Sequence, residues 1–159
     1  MMQTHKDRVL DFNEITDGIY IGTNQCCQPH FDERLANLGI EADISLEDTR
    51  VDSPFGIDFY IWLPVKDHTP PSPDQLAFGV AALEKLRAMG KKVYIHCKNG
   101  HGRAPTLLAA YLMHNGMTVD KAIAAIAAKR PTIHLSPAQR YALKQFRNQS
   151  HHGEIHKSN

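Results

Sequence analysis

The sequence predicts an α/β fold, with a central, mainly parallel sheet of about five strands flanked by helices in three layers. Three observations lead to it. Segments rich in β-branched and aromatic residues alternate with segments of helical spacing. KKVYIH, Lys91 to His96, is short and largely apolar, the pattern of a strand buried on both faces. The helical segments carry their own start and stop signals, including two capping boxes.

Ile19 to Gly22 reads as the first strand. Pro29 to Leu38 reads as a helix, with Phe31, Leu35 and Leu38 on one side and Gly39 ending it. Ala42 to Leu46 and Ile57 to Val65 follow as strands, joined by the polar turn segment EDTRVDSPFG. Ser72 then caps a helix whose first residue is Pro73, whose capping-box partner is Gln75 and whose terminator is Gly90. Leu76, Val80 and Leu83 recur along it at helical spacing.

After the strand at Lys91 to His96, the segment Ala104 to Asn115 is apolar nearly all round and predicts a buried helix closed by Gly116. Thr118 opens another helix, stopped by Pro131. Ser136, Pro137 and Gln139 begin a last one, expected to run to about Phe146.

A chain of 159 residues, 42% hydrophobic and 22% charged, fits one domain, placed at residues 1–150, with 151–159 a flexible polar tail. The net charge of +1 comes from 18 basic and 17 acidic residues that are interspersed, which argues against nucleic acid as a partner. No segment has the apolar length of a membrane span or the form of a signal peptide. A cytoplasmic monomer without stable membrane insertion is expected. Three cysteines, with Cys26 and Cys27 adjacent, form no disulfide framework and suit a reducing compartment. A reversible disulfide between one of that pair and Cys97 is a minor alternative.

The chemistry concentrates in HCKNGHGR, His96 to Arg103, which joins a buried strand to the start of a buried helix. Such a junction is an anion site. The first amides of the helix have no intrahelical partner, its dipole adds positive charge, and Gly100 and Gly102 let the backbone curl around a guest. Arg103 adds a planar fork for two phosphate oxygens, and the same field favours the thiolate of Cys97. A thiolate beside a bound phosphate is a nucleophile for phosphorus. Zinc binding by His96, Cys97 and His101 is disfavoured, because neighbouring strand residues aim to opposite faces and no second ligand pair has a usual spacing.

His96, Cys97, Gly100 and Arg103 match the pattern HCxxGxxR, and the chain thereby resembles the cysteine-dependent protein tyrosine phosphatases, most closely their small dual-specificity branch. NEITDGIYIG and KRPTIHLSPAQRYALKQF extend the resemblance over most of the chain. It implies a phosphatase-like three-layer fold and hydrolysis of phosphate monoesters through a phosphocysteine. Cys97 would be the nucleophile and Arg103 the phosphate clamp, with Lys98, Asn99, Gly100, His101, Gly102 and Arg103 binding the substrate. The general acid and base would be Asp67, 30 residues before Cys97. Asp74 is explained instead by its place in the first turn of a helix. His96, His68 and Gln139 would support the site, Gln139 by placing the hydrolytic water. No metal or organic cofactor is implied.

The expected substrate is a phosphotyrosine protein, with proteins phosphorylated on serine or threonine as a secondary expectation. Lys98, His101 and the Asp67-His68-x-Pro70-Pro71 segment also resemble the phosphoinositide phosphatases, so a phosphoinositide is the alternative. The family usually places Ser or Thr after the arginine, where this chain has Ala104. That departure keeps a third reading, an impaired phosphate-binding module. An RNA 5′-phosphatase would need a basic, aromatic-lined channel that the sequence does not suggest.

Overall fold

The computed structural model describes residues 9–25 and 29–154, with side chains described to residue 147. Five strands form one sheet in the order β1-β2-β5-β3-β4. They are β1 (Phe12–Thr16), β2 (Ile19–Gly22), β3 (Ile40–Ser45), β4 (Phe59–Trp62) and β5 (Lys92–His96). β1 runs antiparallel to β2, and every other pairing is parallel. The expected α/β architecture is therefore present, and β5 lies at its centre.

Period-two alternation along β5 sorts its side chains onto two faces. Val93 and Ile95 join Ile19, Ile21, Ala42 and Ile44 in the larger core. It is covered by α2 (Pro73–Ala88), α3 (Arg103–His114), α4 (Val119–Lys129) and α5 (Pro137–Glu154). Tyr94 points the other way, into a smaller core with Leu10, Tyr20, Phe31 and Leu35, the last supplied by α1 (Glu33–Asn37). α3 is the central helix, with ten of its residues buried, as its apolar composition requires.

The capping box at Ser72 and Gln75 forms with both reciprocal bonds, and Gly90 follows the helix at a φ of 76°. Other elements depart from expectation. β1 has no residue pattern of its own, because only Ile15 of its five residues is buried and no alternation marks it. The turn at Asp17 and Gly18 folds it onto β2. α1 starts at Glu33 and not at Pro29, since Asp32 is the cap and its carboxylate accepts from Arg34 N at 2.9 Å. β4 is an edge strand paired only with β3 and spans four residues of the nine expected. α5 continues to Glu154, past Phe146 and into the expected tail. Residues 155–159, like Cys26 and Cys27, lie outside the described residues.

Candidate active site

Parallel strands end together. His96, the last residue of β5, is in register with Gly22 of β2 and Ser45 of β3. The connections after all three strands therefore gather at one edge, where open α/β sheets place their ligands. Residues 97–102 span from β5 to α3, whose cap is Gly102 and whose first-turn amides receive no side-chain bond.

The loop carbonyls are held from outside. Lys98 O accepts from Asn24 N at 3.4 Å, Asn99 O and Gly100 O from Arg130 at 2.9 and 3.0 Å, and His101 O from His134 N at 2.6 Å. With its carbonyls bonded outward, the loop can turn its amides toward Cys97, which is buried at 2% exposure. Gly100 is obligatory: its φ is 68°, and a Cβ there would stand 2.7 Å from Gly22 O. Arg130 is 1% exposed and also donates to Asn13 Oδ1 at 2.8 Å. Replacing it by methionine would orphan the buried Gly100 carbonyl and the half-buried Asn99 carbonyl, with an expected stability loss of about 3 kcal/mol in urea unfolding.

Arg103, the first residue of α3, is 2% exposed. Its Nη1 donates to Val65 O at 2.9 Å and to Asp48 Oδ1 at 3.3 Å, and lies 3.6 Å from Glu47 Oε1. Burial would raise the Glu47 pKa, but bonds from Asn24 and Thr49 and the Arg103 charge bring it down to about 2. Glu47 is thus a fixed anion that anchors the guanidinium. Arg103 Nε is buried, finds no hydrogen-bond acceptor among the described residues, and stands 3.6 Å from Asp67 Oδ1.

Asp67 lies beyond β4 and is 53% exposed. Its Oδ1 accepts from His68 N at 2.9 Å, a bond made with His68 in a left-handed conformation at a φ of 65°. The loop is tied to α5. Ser136 Oγ donates to His68 O at 2.9 Å, and Gln139 Nε2 donates to Thr69 O at 3.2 Å. Gln139 Oε1 also accepts from Ser136 N at 2.8 Å, so its amide is engaged in capping and loop support at both ends.

His96 supports the loop from behind. Its Nδ1 is 2.8 Å from Asn24 Oδ1, and its Nε2 forms an ion pair with Asp43 Oδ1 at 2.9 Å, so neither nitrogen is turned to the pocket as a metal ligand would be. Burial disfavours its charge, but Asp43, then Asp52 and Glu47, outweigh that and raise its pKa above the ordinary 6.5. Burial also raises the Asp52 pKa by more than His96, Gln25 and Arg50 lower it. Both shifts mean that the folded state holds protons more tightly than the unfolded chain, so stability falls as pH rises. The His96 contribution is complete below about pH 6.5 and is lost as pH climbs through its higher folded value. Urea midpoints measured from about pH 6 to 9 should decline, and His96→Gln should flatten the decline.

Cys97, Lys98, Asn99, His101, Gly102 and Arg103 line one pocket of about 130 Å³ together with Asp67, His68 and Gln139. Gly100 shapes the loop beneath it. Residues 19–149 match the family described as dual specificity phosphatase, catalytic domain. The chain belongs to that family. That membership places it in the cysteine-dependent protein tyrosine phosphatase superfamily.

Among its relatives, the human phosphatidylglycerophosphatase and protein-tyrosine phosphatase 1 is 40% identical over 80 residues, covering 50% of this chain and 40% of that protein. The phosphatidylglycerophosphate phosphatase PTPMT2 of Arabidopsis thaliana is 32% identical over 121 residues, covering 71% of this chain and 53% of that protein. The phosphatase thus spans about half the length of these relatives. The crystal structure of PTPMT1 in complex with PI(5)P superposes with a TM-score of 0.78 at 22% identity, covering 90% of this chain and 98% of that one. Human DUSP28 gives 0.77 at 20% identity, covering 88% and 95%. These likenesses establish the fold.

The pocket gathers the residues singled out in the sequence except His96 and Gly100, which support the loop from behind and beneath, and adds His134, which had no motif to mark it. Glu47, Asn24, Asp43 and Arg130 were also missed, because each acts from a distant segment. Burial, then the Arg130 guanidinium, push the His101 pKa below the ordinary 6.5.

Ala104 is fully buried in the core that also holds Cys97. Thr106 does not replace the missing hydroxyl, since its Oγ1 donates to Gly102 O at 2.7 Å. Rapid-mix kinetics should give a product burst before a slow steady state, and Ala104→Ser should raise the steady rate roughly tenfold by donating to the thiolate.

Proposed function

We propose that this phosphatase hydrolyses the phosphate monoester of an anionic phospholipid of the phosphatidylglycerophosphate type through a phosphocysteine. The carrying observation is the buried, unbonded Arg103 Nε beside the Cys97 loop, an N–H in need of an anionic acceptor at the place where a thiolate would attack. Relatives named for phosphatidylglycerophosphate support the lipid substrate.

In the first step Cys97 Sγ attacks phosphorus while the bond to the leaving oxygen breaks. Asp67 gives its proton to that oxygen. Arg103 and the loop amides hold the three equatorial oxygens and the charge they share. In the second step water attacks phosphorus, the P–S bond breaks, and the Asp67 carboxylate takes a proton from the water. Gln139 fixes the acid loop during both steps, and Lys98 stands at the pocket mouth with the exposed charge.

A phosphotyrosine protein is the second reading, favoured by the relative whose name joins both activities. Phosphate release under EDTA from phosphatidylglycerophosphate, a short-chain phosphoinositide, a phosphotyrosine peptide and an aryl phosphate separates the readings. Preferred turnover of phosphatidylglycerophosphate, lost in Cys97→Ser and reduced in Asp67→Asn, supports the proposal. Preference for the peptide overturns it in favour of the protein substrate. Phosphate binding without turnover of any substrate would instead restore the impaired binding module.

A further inference from the structure

A second cavity lies across the acid loop from the catalytic pocket. It encloses about 340 Å³ between the start of α2 and one side of α5, and Pro70, Pro71, Pro73, Leu76, Tyr141 and Phe146 form most of its wall. Nothing in the phosphoryl-transfer chemistry uses it.

The two cavities are neighbours by construction. Asp67 and His68 line the catalytic pocket and Pro70 begins the groove, so two residues of chain, at most about 7 Å, separate them. On α5, Gln139 lines the pocket and Ala142 the groove, and side chains three apart on a helix stand about 5 to 6 Å from each other. A ligand with its phosphate on the Cys97 loop thus has the groove within reach of a glycerol-sized spacer.

The wall also selects the occupant. Three of its residues are prolines, which have no amide hydrogen to donate. Ser72 is engaged in its capping box, its N–H donating to Gln75 Oε1 at 3.0 Å and its Oγ accepting from Gln75 N at 3.1 Å. From Arg140 onward the α5 amides bond within their own helix. Among the other side chains of the wall, Tyr141 and Gln145, both exposed, carry polar groups. A peptide laid here would bury amides and carbonyls with few partners, whereas hydrocarbon needs none.

We infer that this groove receives the first methylenes of an acyl chain of the lipid whose phosphate monoester occupies the Cys97 loop. The inference rests on the lipid reading above and adds a binding site to it. The groove holds the chain alike in the ground and transition states, so it acts on KM and kcat/KM more than on kcat.

The test uses monomeric phosphatidylglycerophosphates with butanoyl, hexanoyl and octanoyl chains, below their micelle concentrations and without detergent. The wild-type kcat/KM should rise roughly threefold to fourfold for each methylene that becomes buried. Ala142→Trp, which fills the groove, and Tyr141→Asp, which sets a charge at an exposed position of its wall, should flatten the rise. Phe78→Asp should preserve it, because Phe78 is an exposed residue two positions from Leu76 and faces another side of α2. A flat wild-type series with lipid turnover intact overturns the groove and leaves the lipid reading standing. A rise that survives both groove variants also overturns it. Hydrolysis of an aryl phosphate without hydrolysis of any lipid overturns the lipid reading and the groove together.

Discussion

Cys97→Ser should lower turnover of every substrate by about 10⁴-fold or more, the scale on which enzymes lose activity when a covalent nucleophile is removed. The expectation follows from the way the loop is built. Its carbonyls are bonded outward to Asn24, Arg130 and His134, and Cys97 lies at the base of the resulting cradle. A serine hydroxyl in the same field stays protonated and has no adjacent base to take its proton. The substitution adds no volume at a site that is 2% exposed, so the fold and the phosphate cradle should persist. Steady-state turnover is one measurement and phosphate binding by the same variant is the other. Loss of both would point to a collapsed loop, and retained turnover would remove Cys97 from the chemistry.

Arg103→Lys should cost about 10² to 10³-fold in kcat, the loss seen when a transition-state donor is removed, although the charge is kept. Arg103 uses Nη1 on Val65 O and Asp48 and leaves Nε directed beside Asp67. An ammonium cannot hold both positions. It would satisfy either the anchoring groups or the phosphate, so the loss should fall on kcat more than on KM. Glu47 makes the same point from the other side. With its pKa lowered to about 2 by Asn24, Thr49 and Arg103 against the pull of burial, it remains charged throughout the assay range. Its contribution to stability is present above its ordinary value of 4.5 and fades only as pH falls toward 2. Arg103→Lys retaining wild-type kcat would show that the fork geometry is dispensable.

Much of this was legible in the sequence because it depends on short-range order. The pattern from His96 to Arg103 fixes a strand end, a tight turn and a helix start within eight residues, and those three features alone make an anion site. The capping box at Ser72 and Gln75 and the apolar composition of α3 are local for the same reason. β1, a polar edge strand, carries no such local signal, and α1 is shorter than Pro29 suggests because Asp32 caps it later.

The sequence by itself determined the α/β class and the anion loop, and it singled out Cys97, Arg103 and Asp67 around that loop, since each rests on residue type and spacing along a few turns of chain. Only the tertiary structure decided what holds that loop open. Arg130 reaches it from 30 residues away, Asn24 from the connection after β2 and Asp43 from β3 position His96, and the start of α5 pins the Asp67 loop through Ser136 and Gln139. Such contacts depend on where parallel strands end and how helices cross them. They carry no periodicity, and no reading along the chain brings them together.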